Sequence, residues 1–262
     1  MQIFIYIYCP MFVFSRKTLI FIMLYLIFLA QESAGSSCDG ITPDILSRHT
    51  GKRASEFEIV SKRPVFDLCE VIVRFRNNFI PFYVARNFLI VGVMFSEAKN
   101  ISKSAISLSR RQFLKNTYLE LKDLLERASA ITHAPYKGKV TIFFFTDPGC
   151  PFCRRSEKPL MEVARKCQAI IKVLFYPVHG KDDAISAVCK NLSYTDYISR
   201  KWTSHKESCQ RGREIVEASL VVAKRFGIAA TPTFLIVNGR EAEIISGANI
   251  KAVEEKCLEL SR

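Results

Sequence analysis

The sequence predicts two folded units of different class, an α+β unit followed by an α/β unit. Short runs rich in β-branched and aromatic residues occupy positions 56–95 and are typical of an antiparallel sheet. A helical apolar pattern without Gly or Pro then covers 102–130. A largely apolar run at 140–145 leads straight into Cys-Pro-Phe-Cys and a helix, which indicates a buried central strand of an α/β layer.

Composition narrows the class of protein before any motif is considered. The chain has 262 residues, 49% hydrophobic and 24% charged, which excludes a disordered or collagen-like protein and provides enough apolar side chains for a sizeable core. Its net charge of +13 fits nucleic acid, an anionic membrane or an acidic partner equally well. Because neither a helix-turn-helix pattern nor a basic motif interleaved with aromatic residues accompanies the charge, we expect no nucleic-acid partner.

Residues 1–35 have the pattern of a signal peptide. An apolar run of 13 residues, 18–30, follows Arg16 and Lys17 and precedes the small residues of 33–37. The run is shorter than the ~20 residues that a membrane-spanning helix needs, so cleavage near residue 35 is predicted, with an uncleaved anchor as the alternative. Of nine cysteines, Cys9 would leave with this peptide, and export would place the other eight where disulfides persist.

Residues 38–100 are predicted to form a small helix-plus-sheet unit. Thr42 as cap, Pro43 at the first position and Gly51 as stop define a short helix. The predicted strands are Glu56–Lys62, Phe66–Phe75, Asn78–Ala85 and Phe88–Phe95. Pro81 indicates that its strand lies at an edge or carries a bulge. A unit of ~60 residues with an open sheet edge often gains stability by pairing with a second copy.

Residues 101–138 are predicted to be a helical linker. Leu114, Tyr118, Leu121 and Leu125 recur on one helical face. We favour a semi-rigid connector between the two units, and the alternative is a helix packed on its own unit. The second unit would then span 139–262, where strand, helix, strand, helices, strand, hairpin strand and helix follow one another as in a three-layer α/β fold.

Cys150-Pro-Phe-Cys153 stands where the buried strand turns into a helix. There the first thiol lies near unpaired backbone N–H groups and the positive end of the helix dipole, which stabilise its thiolate and favour Cys150 as a nucleophile. Two intervening residues let Cys153 reach back over one helical turn as the resolving thiol. Half of a zinc site and a purely structural disulfide are the alternatives. We expect no metal, because the sequence has no second close pair of ligands.

The stretch Phe145–Arg155, FTDPGCPFCRR, resembles the active-site segment of the thioredoxin superfamily, specifically of the DsbC/DsbG-type periplasmic thiol:disulfide interchange proteins. Thr231-Pro232 resembles the cis-proline loop of the superfamily, and residues 69–73, 81–84 and 90–92 are similar to the family's dimerisation domain. The resemblance implies a cystatin-like N-terminal dimerisation domain joined by the helical linker to a thioredoxin-fold catalytic domain with a helical insertion.

This resemblance also implies a function. It implies a periplasmic disulfide isomerase or reductase that rearranges wrong disulfides in client proteins through a mixed disulfide on Cys150. It further implies a homodimer, a membrane thiol reductase of the DsbD type as partner, and no cofactor beyond Cys150 and Cys153. A cis Pro232 would expose the backbone of Thr231 to an extended client strand.

Two alternatives to an isomerase stay open. Pro151-Phe152 replaces the Gly-Tyr of the best-known isomerases, so the chain is alternatively an oxidant of the same fold that donates disulfides. The second alternative is a holdase-like chaperone that shields clients without redox turnover. A loss of activity on replacing Cys150 separates the redox functions from the chaperone.

The remaining cysteines are assigned in part. The resemblance implies a structural disulfide between Cys189 and Cys209. Cys167 and Cys257 lie on apolar faces of helices that a thioredoxin fold places on one side of its sheet, so they are either two buried thiols or a further disulfide. Cys38 and Cys69 are another candidate pair, for which no pattern decides.

Overall fold

A computed structural model describes residues 38–75, 78–203 and 205–262. The predicted signal peptide lies outside these ranges. An antiparallel sheet of four strands organises the first part, and a mixed sheet of five strands organises the second. Within the described ranges, no helix combines the length and the apolar character needed to cross a membrane.

The first unit packs one helix against its sheet. It contains helix α1 (Pro43–Thr50) and strands β1 (Glu58–Val65), β2 (Leu68–Phe75), β3 (Asn78–Val84) and β4 (Leu89–Val91), which pair in that order. Helix α1 ends at Gly51, whose φ of 71° is a left-handed conformation that glycine adopts without strain. Leu46 is fully buried and belongs to one apolar core with Val71, Val73 and Phe82. The predicted helix-plus-sheet unit is therefore present, with strand ends shifted by a few residues.

Pro81 lies in an inner strand, but at the point where that strand becomes an edge. Strand β3 pairs with β2 along its length, whereas β4 pairs only with residues 82–84. The carbonyl oxygen of Pro81 accepts a hydrogen bond from Gly92 N at 3.3 Å. Because the nitrogen and the carbonyl of one residue in an antiparallel strand point to the same side, the missing N–H also faces Gly92, just past the end of β4. The pairing of β3 with β2 therefore loses no hydrogen bond at Pro81.

Helix α2 (Ile101–Ala128) contacts both units. It begins at Asn100, whose side-chain oxygen accepts a hydrogen bond from Lys103 N at 2.9 Å. In its first half, Ser109 Oγ lies 2.7 Å from Ser61 Oγ of the first sheet. In its second half, Tyr118, Leu121, Leu125 and other apolar residues are buried in a core of the second unit. The helix thus links the two units, but over its second half it is packed on the following domain rather than free.

The second unit is built on a five-stranded mixed sheet. Its strands are β7 (Ile131–His133), β8 (Thr141–Thr146), β9 (Ile170–Phe175), β10 (Thr233–Val237) and β11 (Ala242–Ser246), in the order β11-β10-β8-β9-β7, and the short hairpin β5 (Phe95–Ser96) and β6 (Lys99–Asn100) precedes α2. Strands β8 and β9 are parallel, and every other pairing is antiparallel. Strand β7 precedes residue 139, so this sheet begins inside the segment that the sequence assigned to the linker. Its three residues are too few to show a strand pattern.

Helices cover both faces of this sheet. They are α3 (Pro151–Cys167), α4 (Asp182–Cys189), α5 (Tyr194–Ile198), α6 (Gln210–Phe226) and α7 (Ile250–Ser261). Ile142 and Phe144 of β8 pack with α3 and α7, while Phe143 and Phe145 pack with α2 and α6. Because successive strand residues point to opposite faces, this apolar run fills two cores at once. The expected three-layer α/β unit is observed, and the carboxyl end of β8 leads directly into the segment that contains Cys150 and Cys153.

Candidate active site

Cys150 caps the amino terminus of helix α3. The chain leaves β8 at Thr146, turns through Asp147-Pro148-Gly149 and enters the helix at Pro151. Cys153 N donates a hydrogen bond to Cys150 Sγ at 3.4 Å, so the sulfur occupies the position of a helix-capping acceptor. Backbone N–H groups and the helix dipole stabilise negative charge at this point. The geometry thus suits a thiolate at Cys150.

Cys150 and Cys153 are free thiols in different surroundings. Cys150 retains 5% of its surface exposed, whereas Cys153 retains 0%. Burial is the main reason why the pKa of Cys153 rises to about 11. Cys153 therefore stays protonated at neutral pH, and Cys150 is the thiol that a second molecule reaches first.

The loop before β10 brings a backbone carbonyl to the sulfur. The Thr231-Pro232 peptide bond is cis. Cys150 Sγ lies 3.7 Å from the carbonyl oxygen of Thr231, within the range of a thiol hydrogen bond. Thr231 is half-buried, and Pro232 is buried. The structure therefore places the cis Thr231-Pro232 loop beside Cys150, as the resemblance implied.

Apolar and cationic side chains form the rim of the site. Phe152 is 55% exposed and stacks against Arg155, whose guanidinium carbon lies 4.4 Å from the ring centroid. Val178, in the loop after β9, is 60% exposed. These side chains offer a mixed surface around a largely covered sulfur.

Asp147 and His179 form a pair beside this loop that the sequence analysis did not single out. The carboxylate of Asp147 is 1% exposed, and its Oδ2 lies 2.6 Å from His179 Nδ1. Asp147 Oδ1 accepts a hydrogen bond from Gly149 N at 2.9 Å, which fixes the turn into Cys150. An Asp two residues before a Gly, directly ahead of the Cys pair, is a turn pattern that marks Asp147. No pattern in the sequence marks His179 as its partner, since 32 residues separate the two.

A buried ion pair lies behind the helix that carries the cysteines. Glu157 has a side chain 2% exposed, and Arg200 contacts it with two nitrogens, Nη2–Oε2 at 2.7 Å and Nη1–Oε1 at 3.2 Å. Burial raises the pKa of Glu157, and Arg200 opposes that rise. The pair joins α3 to the helical segment between β9 and β10. The sequence analysis missed it because Arg200 lies in a segment without apolar periodicity.

Replacing Arg200 with Met is expected to destabilise the protein by about 3 kcal/mol, because it leaves the buried carboxylate of Glu157 without its partner. Urea unfolding of the variant and the parent measures this difference. The double variant Arg200→Met/Glu157→Gln removes the buried charge and is expected to lose less. A single variant as stable as the parent would contradict a structural role for the pair.

A family profile described as a thioredoxin-like domain matches residues 127–259 of the chain. The chain belongs to the thioredoxin-like domain family. The matched range contains Cys150, Cys153, Thr231 and Pro232 and begins at the end of α2. The expected thioredoxin fold is thereby confirmed for the second unit. The redox-active group of such a domain is its cysteine pair, so no external cofactor is assigned.

Solved structures similar to this thioredoxin-like chain include two of ScsC from Proteus mirabilis. A linker-deletion mutant of ScsC is 17% identical over 60% of this chain and 86% of its own, with a TM-score of 0.45. The ScsC catalytic domain is 17% identical over 57% and 99%, with a TM-score of 0.43. The thiol-disulfide exchange protein α-DsbA2 from Wolbachia pipientis is 15% identical over 62% and 100%, with a TM-score of 0.44. No curated protein matches the chain in sequence.

Three disulfides account for the six other cysteines of the described ranges. Cys189 is bonded to Cys209 at the start of α6, and Cys167 of α3 is bonded to Cys257 of α7. The open question about the latter pair is thus answered in favour of a bond. Cys38 is bonded to Cys69 of β2 in the first unit. Among the cysteines that the structure describes, Cys150 and Cys153 therefore keep free thiols that can react.

The half-zinc alternative would need further ligands beside Cys150 and Cys153. Among residues 38–75, 78–203 and 205–262, no group of three or more His, Cys, Asp or Glu side chains is placed to hold a metal ion. His179, beside the cysteine loop, is engaged by Asp147.

Proposed function

We propose that the protein is a thiol:disulfide oxidoreductase acting on disulfides of exported proteins, and that it works as an isomerase or reductase. The observation that carries this proposal is the arrangement at the end of β8. There, Cys150 Sγ caps a helix 3.7 Å from the Thr231 carbonyl, with Cys153 buried behind it. A capped, nearly covered sulfur is suited to form a mixed disulfide with a bound chain.

The reaction is a two-electron exchange between sulfurs. The Cys150 thiolate attacks one sulfur of a client disulfide, a new S–S bond forms, and the second client sulfur departs as a thiolate. In isomerisation, another client thiolate then attacks the mixed disulfide and releases Cys150 unchanged. In reduction, Cys153 attacks instead, which oxidises the pair to a disulfide and returns the client as a dithiol. A reductant must then restore the pair, and we propose a membrane thiol reductase of the DsbD type.

The finer assignment to the DsbC/DsbG type is part of the same proposal. A helix-plus-sheet unit, a long helix and a thioredoxin-like domain follow one another in the order that this type implies. Periplasmic location is proposed on the same ground, together with the predicted signal peptide. Pro151-Phe152 keeps a disulfide-donating oxidant as the second candidate, since proline at this position also occurs in oxidising members of the superfamily.

Refolding of scrambled ribonuclease separates these candidates. The reduced protein is expected to restore ribonuclease activity, because its Cys150 thiolate opens wrong disulfides. An oxidant of the same fold, added in reduced form, would restore none. The Cys150→Ser variant is the matched control. Full rescue of clients by that variant would instead favour a chaperone without redox turnover.

We also propose a homodimer joined through the first unit. Among the strands that the structure describes, β4 pairs only with β3, and it exposes Ile90 by 50% and Val91 by 52%, with Val93 beyond it at 60%. An edge strand with exposed apolar side chains is a template for pairing with another strand, and a second copy of the chain supplies one. Sedimentation of the mature protein at micromolar concentration is expected to give a dimer. A monomer under those conditions would overturn this part of the proposal.

A further inference from the structure

The Asp147–His179 pair holds one imidazole in a fixed orientation next to the reactive loop. Oδ2 of Asp147 accepts hydrogen bonds from the backbone N–H groups of Val178 at 2.9 Å and His179 at 3.0 Å, besides its contact with Nδ1. An ionised carboxylate only accepts hydrogen bonds, so Nδ1 carries the proton that faces it. The other ring nitrogen, Nε2, therefore points away from the carboxylate, on a side chain that is 59% exposed.

The side chain of His179 packs against the loop that leads into Cys150. A methyl group placed on Gly149 would lie only 3.1 Å from His179 Cβ and 3.4 Å from Cγ. Gly149 directly precedes Cys150, and neighbouring Cα atoms lie about 3.8 Å apart. The side chain of His179 is therefore packed against the residue that directly precedes the nucleophile.

We propose that His179 is the general acid and base of disulfide exchange, with Asp147 as its positioning residue. The inference deepens the proposed function and rests on it. When Cys150 attacks a client disulfide, His179 in its protonated form gives the Nε2 proton to the departing client thiolate, which leaves as a thiol. In the return step, neutral His179 takes a proton from the incoming client thiol, which then attacks the mixed disulfide and releases the Cys150 thiolate.

The chemistry of the leaving group explains what such a residue contributes. An alkyl thiol with a pKa of about 8.5 departs poorly as a bare thiolate at neutral pH, so proton donation lowers its barrier. A buried carboxylate that orients an imidazole and stabilises its charged form is the arrangement used by acid-base histidines in hydrolases. Here Asp147, fully hydrogen-bonded and almost completely buried, stands in that relation to His179.

The test compares two disulfides that differ in their need for a proton. Single-turnover rates of the reduced protein are measured at neutral pH with an aromatic disulfide, whose leaving thiolate is stable by itself, and with a dialkyl peptide disulfide. The variant is His179→Asn, whose side-chain amide keeps a donor toward Asp147 and loses Nε2. The control is His205→Asn, an exposed histidine elsewhere in the domain.

The proposal predicts that His179→Asn slows the dialkyl reaction by about 100-fold, the low end for general acid catalysis, and leaves the aromatic reaction nearly unchanged. The ratio of the dialkyl rate to the aromatic rate is therefore expected to fall by about 100-fold, and by tenfold at least, while the control keeps the parent ratio. A smaller change in the ratio, or equal losses with both disulfides, overturns the role of His179. If the His179→Asn variant does not fold, His179→Gln is judged by the same ratio. A parent protein that reacts with neither disulfide refutes the proposed function itself.

Discussion

The Cys153→Ser variant is expected to be isolated with client proteins covalently bound to Cys150. Cys153 is fully buried behind Cys150 on the same helix, and its backbone N–H already contacts the outer sulfur at 3.4 Å. Without this resolving thiol, a mixed disulfide on Cys150 is released only when a client thiol attacks it. A thiol held in place reacts far faster than a free one, so we expect the lifetime of the complexes to lengthen by roughly 100-fold or more.

Electrophoresis without reductant measures this effect. Bands of higher mass that disappear on reduction are expected in Cys153→Ser and are expected to be faint in the parent. The matched control is the double variant Cys150→Ser/Cys153→Ser, which has no nucleophile and is expected to show none. Equal trapping by this control would mean that another cysteine carries the reaction.

Removing the Cys167–Cys257 disulfide is expected to destabilise the protein by about 4.5 kcal/mol. The bond closes a loop of 90 residues, and in the chain-entropy model a loop of this length restricts the unfolded chain strongly. Both sulfurs are buried between α3 and α7, so the variant Cys167→Ala/Cys257→Ala keeps apolar side chains in the core. The melting temperature is expected to fall by about 10 °C.

The chain offers its own control for this experiment. Cys189 and Cys209 close a loop of only 20 residues, so Cys189→Ala/Cys209→Ala is expected to lose less, about 3 kcal/mol. Denaturant unfolding of both variants against the parent gives the two differences. If the shorter loop proves the costlier one to open, the entropic account of these bonds is wrong.

The reactive centre was predictable because its pattern is local. The buried strand β8 ends only a few residues before Cys150, which lies at the start of helix α3. Cys153 follows one turn later in the same helix. Except for β7, the strands of both sheets were likewise found from their apolar runs. The loop carrying Thr231 was placed beside Cys150 through resemblance, since nothing in their separation of 81 residues predicts it.

The features that escaped prediction depend on contacts between distant segments. Nothing in the sequence marked Glu157 as buried, because its contacts Arg200 and Tyr194 come from an insertion without regular periodicity. Helix α2 showed one apolar face, but the sequence did not say which domain that face covers. The partner of Cys38 was open for the same reason, since pairing is decided by the packing of α1 on its sheet.

The double attachment of α2 has a geometric consequence. Ser109 is tied to the first sheet, and Leu114 is already inside the core of the second unit. One residue inserted between them turns everything beyond it by about 100° around the helix axis, whereas four inserted residues bring the direction back to within about 40° and add about 6 Å. The number of residues between Ser109 and Leu114 therefore sets the direction in which Cys150 faces relative to the first unit. In a dimer, it sets whether the two sulfurs face each other.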